Sequence, residues 1–301
     1  MDNLTSLLTH FSLHAGVFYT GAICGVHRFE QDTMQGHMHL IHRGPVQLIG
    51  AREGAFNISE PTLLFLPRPG AHRLVTDERS GADVICGTVR FGSGGRNPVS
   101  DALPDVVLIT LSDMPGVESI LSLMFEEAFS AWCGRQAVLD RLCEVLMIRV
   151  LRHCIEHNMA QGGVLAGLAD PQLAKAIVAI HDDPARAWTL AAMAAAAGMS
   201  RARFALRFKQ VTGATPADYL AGWRLMLAQR LLTRGRQLKH VAGDVGYGSA
   251  SALSRAFVRM LGCSPSRWCD RQRGEIGSFG LNDTARHENE TPGGPPPKQA
   301  R

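Results

Sequence analysis

GMSRARFALRFKQVTG, residues Gly198 to Gly213, sets a turn residue, a cap residue and four basic side chains around only two phenylalanines. Glycine tolerates the left-handed backbone that ends a helix, and Ser200 is a preferred N-cap for the helix that follows. On that helix Phe204, Phe208 and Val211 share one stripe at four- and three-residue steps, so they point into a core. Roughly opposite lie Ala202, Ala205, Leu206 and Lys209, with Arg201 and Arg203 near the N-terminal end. A packed inner face behind an outer face of small and basic residues is the layout of a recognition helix, which must approach base edges closely. The alanine-rich run Leu190–Ala197 before Gly198 supplies the first helix of such a unit.

The pattern occurs twice. Ser200, Phe204, Phe208, Gly213, Pro216 and Tyr219 are matched, 49 residues on, by Ser249, Leu253, Phe257, Gly262, Pro265 and Trp268. The second copy reads as a first helix over Leu238–Val245, a turn at Gly246-Tyr247-Gly248 and a second helix over Ser249–Met260. There Leu253 and Phe257 face inward, while Ser251, Ala252, Ser254, Arg255 and Arg259 are left for the nucleic-acid side. Arg255 is the side chain best suited to a bidentate contact with guanine. The stretch between the copies, PADYLAGWRLMLAQRLLTRG, has the period of a long helix.

Charge supports a polyanion partner for this half alone. Residues 1–170 hold 12 Lys and Arg against 18 Asp and Glu, whereas residues 171–270 hold 14 against 5. The net +4 of the whole chain hides that contrast. The seven cysteines form no C-x-x-C pair or zinc spacing, so reduced thiols are expected. The longest apolar runs fall short of the roughly 20 residues a membrane span needs, and MDNLTSLLTHFSLH lacks a basic region followed by a long apolar one. A cytoplasmic protein with no membrane partner is expected.

Short β-rich runs from Val17 to about Phe91, separated by Gly- and Pro-containing turns, predict a small barrel or sandwich. Helical periodicity follows from Gly116 to His157. The expected fold class is α+β multidomain: a β sensor domain over 1–112, a helical hairpin over 113–160 serving dimerisation, a linker over 161–171, an all-α domain with two helix-turn-helix units over 172–270, and a disordered tail over 271–301. Leu139, Leu142, Leu146 and Val150 could pack across a twofold axis or close over the barrel, and Cys133, Cys143 and Cys154 read as core residues.

Residues 188–270, through AAAAGMSRARFALRFKQVTGATPADYL and VAGDVGYGSASALSRAFVRMLGCSPSRW, resemble the DNA-binding domain of the AraC/XylS family of bacterial transcription regulators. The resemblance implies a seven-helix domain, a promoter target, RNA polymerase as a partner, a homodimer and a separate regulatory domain. Residues 10–110 are similar to the cupin-like sensor of one branch, through HMHLIHRGPVQLI and, after TLLFLPRPG, the run AHRL. Metal-binding cupins use histidines where this chain has His37, His39 and His72, but His42 and Arg43 stand where their acid is expected. Zinc or copper on three imidazoles, and with it a cupin-type metalloenzyme, is the alternative to a non-enzymatic regulator with no catalytic residues and no cofactor. Cys24 and Cys86 resemble cysteines of reactive-chlorine-responsive regulators in this branch, which implies an activator with an oxidant switch through a sulfenic acid or disulfide. A small molecule sensed in the barrel, with both thiols as buried hydrophobes, is the other reading.

Overall fold

The structure is a computed structural model, and it describes residues 3–10, 12–30, 35–51, 54–92 and 97–271. The expected tail lies outside the described residues, apart from its first residue, Arg271. The chain forms two compact units, Met1–Leu220 and Ala221–Arg301. Among the described residues no helix is long and apolar enough to cross a membrane.

The first unit opens with α1 (Asn3–His10) and then runs β1 (Leu13–Ile23), β2 (Val26–Phe29), β3 (Gly36–Arg43), β4 (Val46–Ala51), β5 (Gly54–Ile58), β6 (Thr62–Leu66), β7 (His72–Thr76) and β8 (Ala82–Phe91). A short helix, α2 (Pro98–Ala102), capped by Asn97, precedes β9 (Val107–Thr110). The strands form two antiparallel sheets, β1-β8-β3-β6-β9 and β2-β7-β4-β5. Side chains that alternate along each strand meet between the sheets as an apolar core that includes Ile41, Leu48, Leu64, Leu74, Val84 and Cys86. This is the cupin-like layer expected for the N-terminal part.

Two helices follow, α3 (Glu118–Ala128) and α4 (Arg135–Glu156). Helix α4 lies along β1: Gln136 Nε2 donates to Val17 O at 2.6 Å, and Val17 N donates to Asp140 Oδ1 at 3.0 Å. Its inward face carries Leu139, Cys143, Leu146, Val150 and Cys154, all buried. The face suggested for dimerisation is thus mostly turned against the protein's own barrel. Cys133 departs from its expected place in the core: it sits in the exposed turn between these helices.

The expected linker is the main correction. Within it, GVLAGLA forms α5 (Gly163–Ala169), with Val164, Leu165, Gly167 and Leu168 buried. It packs against α2, α4, α6 (Leu173–Asp182) and α8 (Arg201–Thr212). Glycine at 167 lets Ile177 and Thr212 approach so closely that a Cβ would collide with the Ile177 side chain. A sequence that lacks periodicity because it is nearly all small or apolar is, here, a helix buried on most sides. The remaining helices are α7 (Leu190–Ala196), α9 (Pro216–Thr233), which runs through the boundary between the units, α10 (Leu238–Asp244), α11 (Ala250–Leu261) and a last helical segment over 265–271. From residue 172 onward the described residues thus hold the seven helices expected.

Candidate nucleic-acid interface and sensor cluster

In the first unit, Thr189 caps α7 by accepting from Ala192 N at 3.1 Å, and Ser200 caps α8 by accepting from Arg203 N at 3.4 Å. Gly198 between them has φ of 65°. Phe204 and Phe208 are fully buried, with ring centroids 5.3 Å apart. Phe208 meets Tyr219 edge-on at 5.3 Å, and the Tyr219 hydroxyl is 2.8 Å from His181 Nε2, both on buried helix faces. Arg201, Ala202, Arg203, Leu206 and Lys209 are exposed and Ala205 is half-buried, so the outer face is the one expected. Arg207, also exposed on α8, is engaged within the protein: its Nε and Nη2 both donate to Asp170 Oδ2 at 2.6 Å.

That carboxylate is itself buried and has a second task. Asp170 Oδ1 accepts from Gln172 N at 2.9 Å and Leu173 N at 3.0 Å, capping the start of α6. Burial alone would raise the Asp170 carboxyl, but the two backbone N–H groups and Arg207 together hold it below its ordinary value. One side chain therefore joins the segment after α5, the first turn of α6 and the recognition helix α8.

In the second unit, Ser249 caps α11 by accepting from Ala252 N at 3.1 Å, after a turn in which Gly246 has φ of 83°. Leu253 and Phe257 are fully buried, and Phe257 packs edge-on to Trp268 at 6.2 Å. Ser251, Arg255 and Arg259 are exposed, with Ala252 and Ser254 half-buried. The Arg224 guanidinium stands 5.9 Å from the Tyr247 ring, bracing the turn, and Arg236 pairs with Asp244 at 3.0 Å across the ends of α10. Both copies thus present one chemistry: a hydroxyl cap, a glycine turn, an aromatic-backed inner face and a cationic outer face.

In the barrel, His37, His39 and His72 do converge, with ring centroids 5.0 to 6.1 Å apart. His39 Nε2 and His72 Nε2 are 2.8 Å apart. His72 Nδ1 lies 3.1 Å from Gly70 O, an acceptor only, so His72 carries its proton there and accepts from His39 through Nε2. His39 is left with Nδ1 as a bare acceptor that finds no partner among the described residues. Burial, reinforced by His72 and His37, holds His39 well below its ordinary value, and burial brings His72 down to about 4. Nitrogens on one tetrahedral ion stand about 3.3 Å apart, given metal–nitrogen bonds of about 2.05 Å. As arranged, the three imidazoles do not fit a metal, and no group of three His, Cys, Asp or Glu among the described residues does. Phe29 stacks on His72 at 5.0 Å, and His42 packs on Phe125 rather than completing a ligand set.

The two candidate redox cysteines differ sharply. Cys24 is exposed beside Gly81, where a Cβ would come within 2.8 Å of its Sγ. Cys86 is fully buried, and burial pushes its thiol up to about 12. Register pairs Ile23 with Ala82 and Tyr19 with Cys86, so the two cysteines lie about 17 Å apart along the β1–β8 ribbon. Disulfide geometry needs Cα atoms within about 7 Å. The folded barrel therefore cannot close a Cys24–Cys86 bond, and the intramolecular form of the expected switch is corrected on that ground.

With this geometry in place, comparison with known proteins gives the following. A family model described as "Cupin" matches residues 2–156, and one described as "Helix-turn-helix domain" matches 193–271. A "Putative AraC-like transcription regulator" of Streptomyces lividans is 40% identical over 192 residues, 62% of this chain; the match spans 63% of that relative's length. The "RCS-specific HTH-type transcriptional activator RclR" of Escherichia coli strain K12 is 28% identical over 240 residues, 78% of this chain and 84% of that protein. Among solved structures, the DNA-binding domain of AdpA in complex with a target DNA is 34% identical, covering 36% of this chain and 97% of that one with a TM-score of 0.34.

Proposed function

This chain belongs to the AraC/XylS family of transcription regulators, in the branch that begins with a cupin domain, and on that premise we propose that it is a sequence-specific DNA-binding activator acting at a bacterial promoter in the cytoplasm. The observation that carries the reading is the duplicated unit: two recognition helices, α8 and α11, each backed by buried Phe or Leu and each exposing Arg or Lys. Arg255 and Arg203 read base edges, and Arg201, Lys209 and Arg259 contact phosphates. Binding to operator DNA, measured by fluorescence anisotropy, should fall by orders of magnitude between about 50 and about 200 mM salt, as six or more phosphate contacts require. Affinity indifferent to salt would remove the proposal.

The signal is an oxidant received at Cys24. Its exposure supports this, as does the likeness to the RCS-specific activator of Escherichia coli. Oxidation to a sulfenic acid, followed by a bond to an external thiol, suits a cysteine without a partner within reach. The message passes from the barrel through α2 to α5, and from α5 and Asp170 to α8. Activation brings RNA polymerase to the promoter. The active form is a homodimer, for which the outward faces of α3 and α4 and the connection between them are suited: Leu123, Phe129, Trp132, Val138 and Val145 are all exposed there.

A further inference from the structure

On the sensor, a cleft of about 400 Å³ lies between the C-terminal half of α4 and the turn over 111–115. It is lined by Arg149, Arg152, His153, Glu156 and His157 from the helix and by Asp113, Met114 and Pro115 from the turn. Its size is that of a small-molecule site, and four of its side chains carry or can take a positive charge. Spacings of three, four and one residues keep Arg149, Arg152, His153 and Glu156 along neighbouring rows of the helix.

Two of these groups are fixed in place. Arg149 Nη2 donates to Pro115 O at 2.5 Å and passes over Gly116, whose φ of 77° and missing Cβ leave room for the guanidinium. The rings of His153 and His157 stack at 3.9 Å, and His157 Nδ1 donates to His153 O at 3.0 Å, which fixes the orientation of its ring. Arg152 is exposed and has no hydrogen-bond or ion-pair partner among the described residues.

We infer that this cleft binds a small doubly charged oxyanion, a sulfate-, phosphate- or dicarboxylate-type group, through Arg152, His153 and His157, and does so in a pH-dependent way. With both imidazoles neutral, the two guanidiniums are matched by Asp113 and Glu156. With His153 protonated, the cleft has a positive charge in excess. Burial and the neighbouring His157 hold His153 below its ordinary value, Asp113 and Glu156 opposing them, so His153 resists charging until a counter-anion is present. Anion and proton then bind together, and each favours the other. The inference is independent of the DNA-binding reading and gives the sensor half a ligand of stated chemistry.

Titration calorimetry of the full chain tests it, with sodium sulfate, which keeps its charge across the range, and with succinate as the organic probe. Saturable binding at about pH 6 should weaken about tenfold by about pH 8, where His153 is neutral. Arg152→Gln should weaken binding about tenfold, the size of one lost charge-assisted hydrogen bond. His153→Gln should flatten the pH dependence, whereas Arg255→Ala on α11 should leave anion binding as it is in the parent. Unliganded melting temperatures of both cleft variants should equal the parent's, since neither side chain is in the core. Absence of saturable binding by either anion overturns the inference. So does binding that survives both cleft substitutions or disappears in Arg255→Ala, since either places the anions on another basic surface.

Discussion

Treating the full-length protein with a small alkylating reagent at neutral pH, quenching at intervals and reading each cysteine peptide by mass spectrometry tests the sensor site directly. Only thiolate reacts, so rate follows the deprotonated fraction and access. Burial raises the Cys86 thiol to about 12, as it does those of Cys143 and Cys154. Against an ordinary thiol near 8.5, a value near 12 lowers the thiolate fraction by on the order of a thousandfold at neutral pH. The fully buried Cys86 sulfur must also wait for the barrel to open, whereas Cys24 is exposed. Cys24 should therefore label at least about a thousand times faster than Cys86. Cys143 and Cys154 should track Cys86, Cys133 should track Cys24, and all should converge in denaturant. Labelling of Cys86 within about tenfold of Cys24 would refute the reasoning, because it would mean that the β1–β8 ribbon opens freely or that an unseen group activates Cys86.

Asp170→Ala should lower stability by about 2 kcal/mol, about half from the lost cap on α6 and the rest from the half-exposed pair with Arg207. Because the folded Asp170 carboxyl is held low, that contribution is complete above the ordinary carboxylate range and is lost as pH falls through the lowered value; thermal melts of parent and variant should converge in acid. Arg255→Ala should weaken cognate DNA by about 1 to 3 kcal/mol and relax preference at one base pair, whereas Lys209→Ala should weaken all sequences alike, both measured by competition anisotropy. Phe208→Ala should cost about 3 to 5 kcal/mol in urea unfolding, and Leu206→Ala, on the exposed face of the same helix, close to nothing. Val145→Glu on the outward face of α4 should shift a dimer toward monomer in analytical ultracentrifugation and leave the monomer's melting temperature unchanged.

The C-terminal half could be read from sequence because its determinants are local. Ser200 and Ser249 cap helices three residues away, Gly198 and Gly246 turn the chain where they stand, and the aromatic stripes follow from helical period alone. The β runs of the sensor were legible for the same reason. What escaped depended on distant partners. Nothing local to Arg207 reveals that Asp170, 37 residues earlier, holds it. The glycines of residues 161–171 suggest a break, although Gly167 is there to let Ile177 come close. Spacing could align His37, His39 and His72, but it could not show that two of them are hydrogen-bonded to each other. Nor could it separate an exposed Cys24 from a sealed Cys86.

Helix α5 makes the two DNA-reading helices unequal. One belongs to the same compact unit as the barrel, and the other folds with residues that begin after Leu220. On the proposed function, a disturbance in the barrel would reach α8 through α5, which packs on it. Such a regulator would hold one half of its operator at constant strength and adjust its grip on the other, so promoters with a weak first half-site would respond most steeply to the signal.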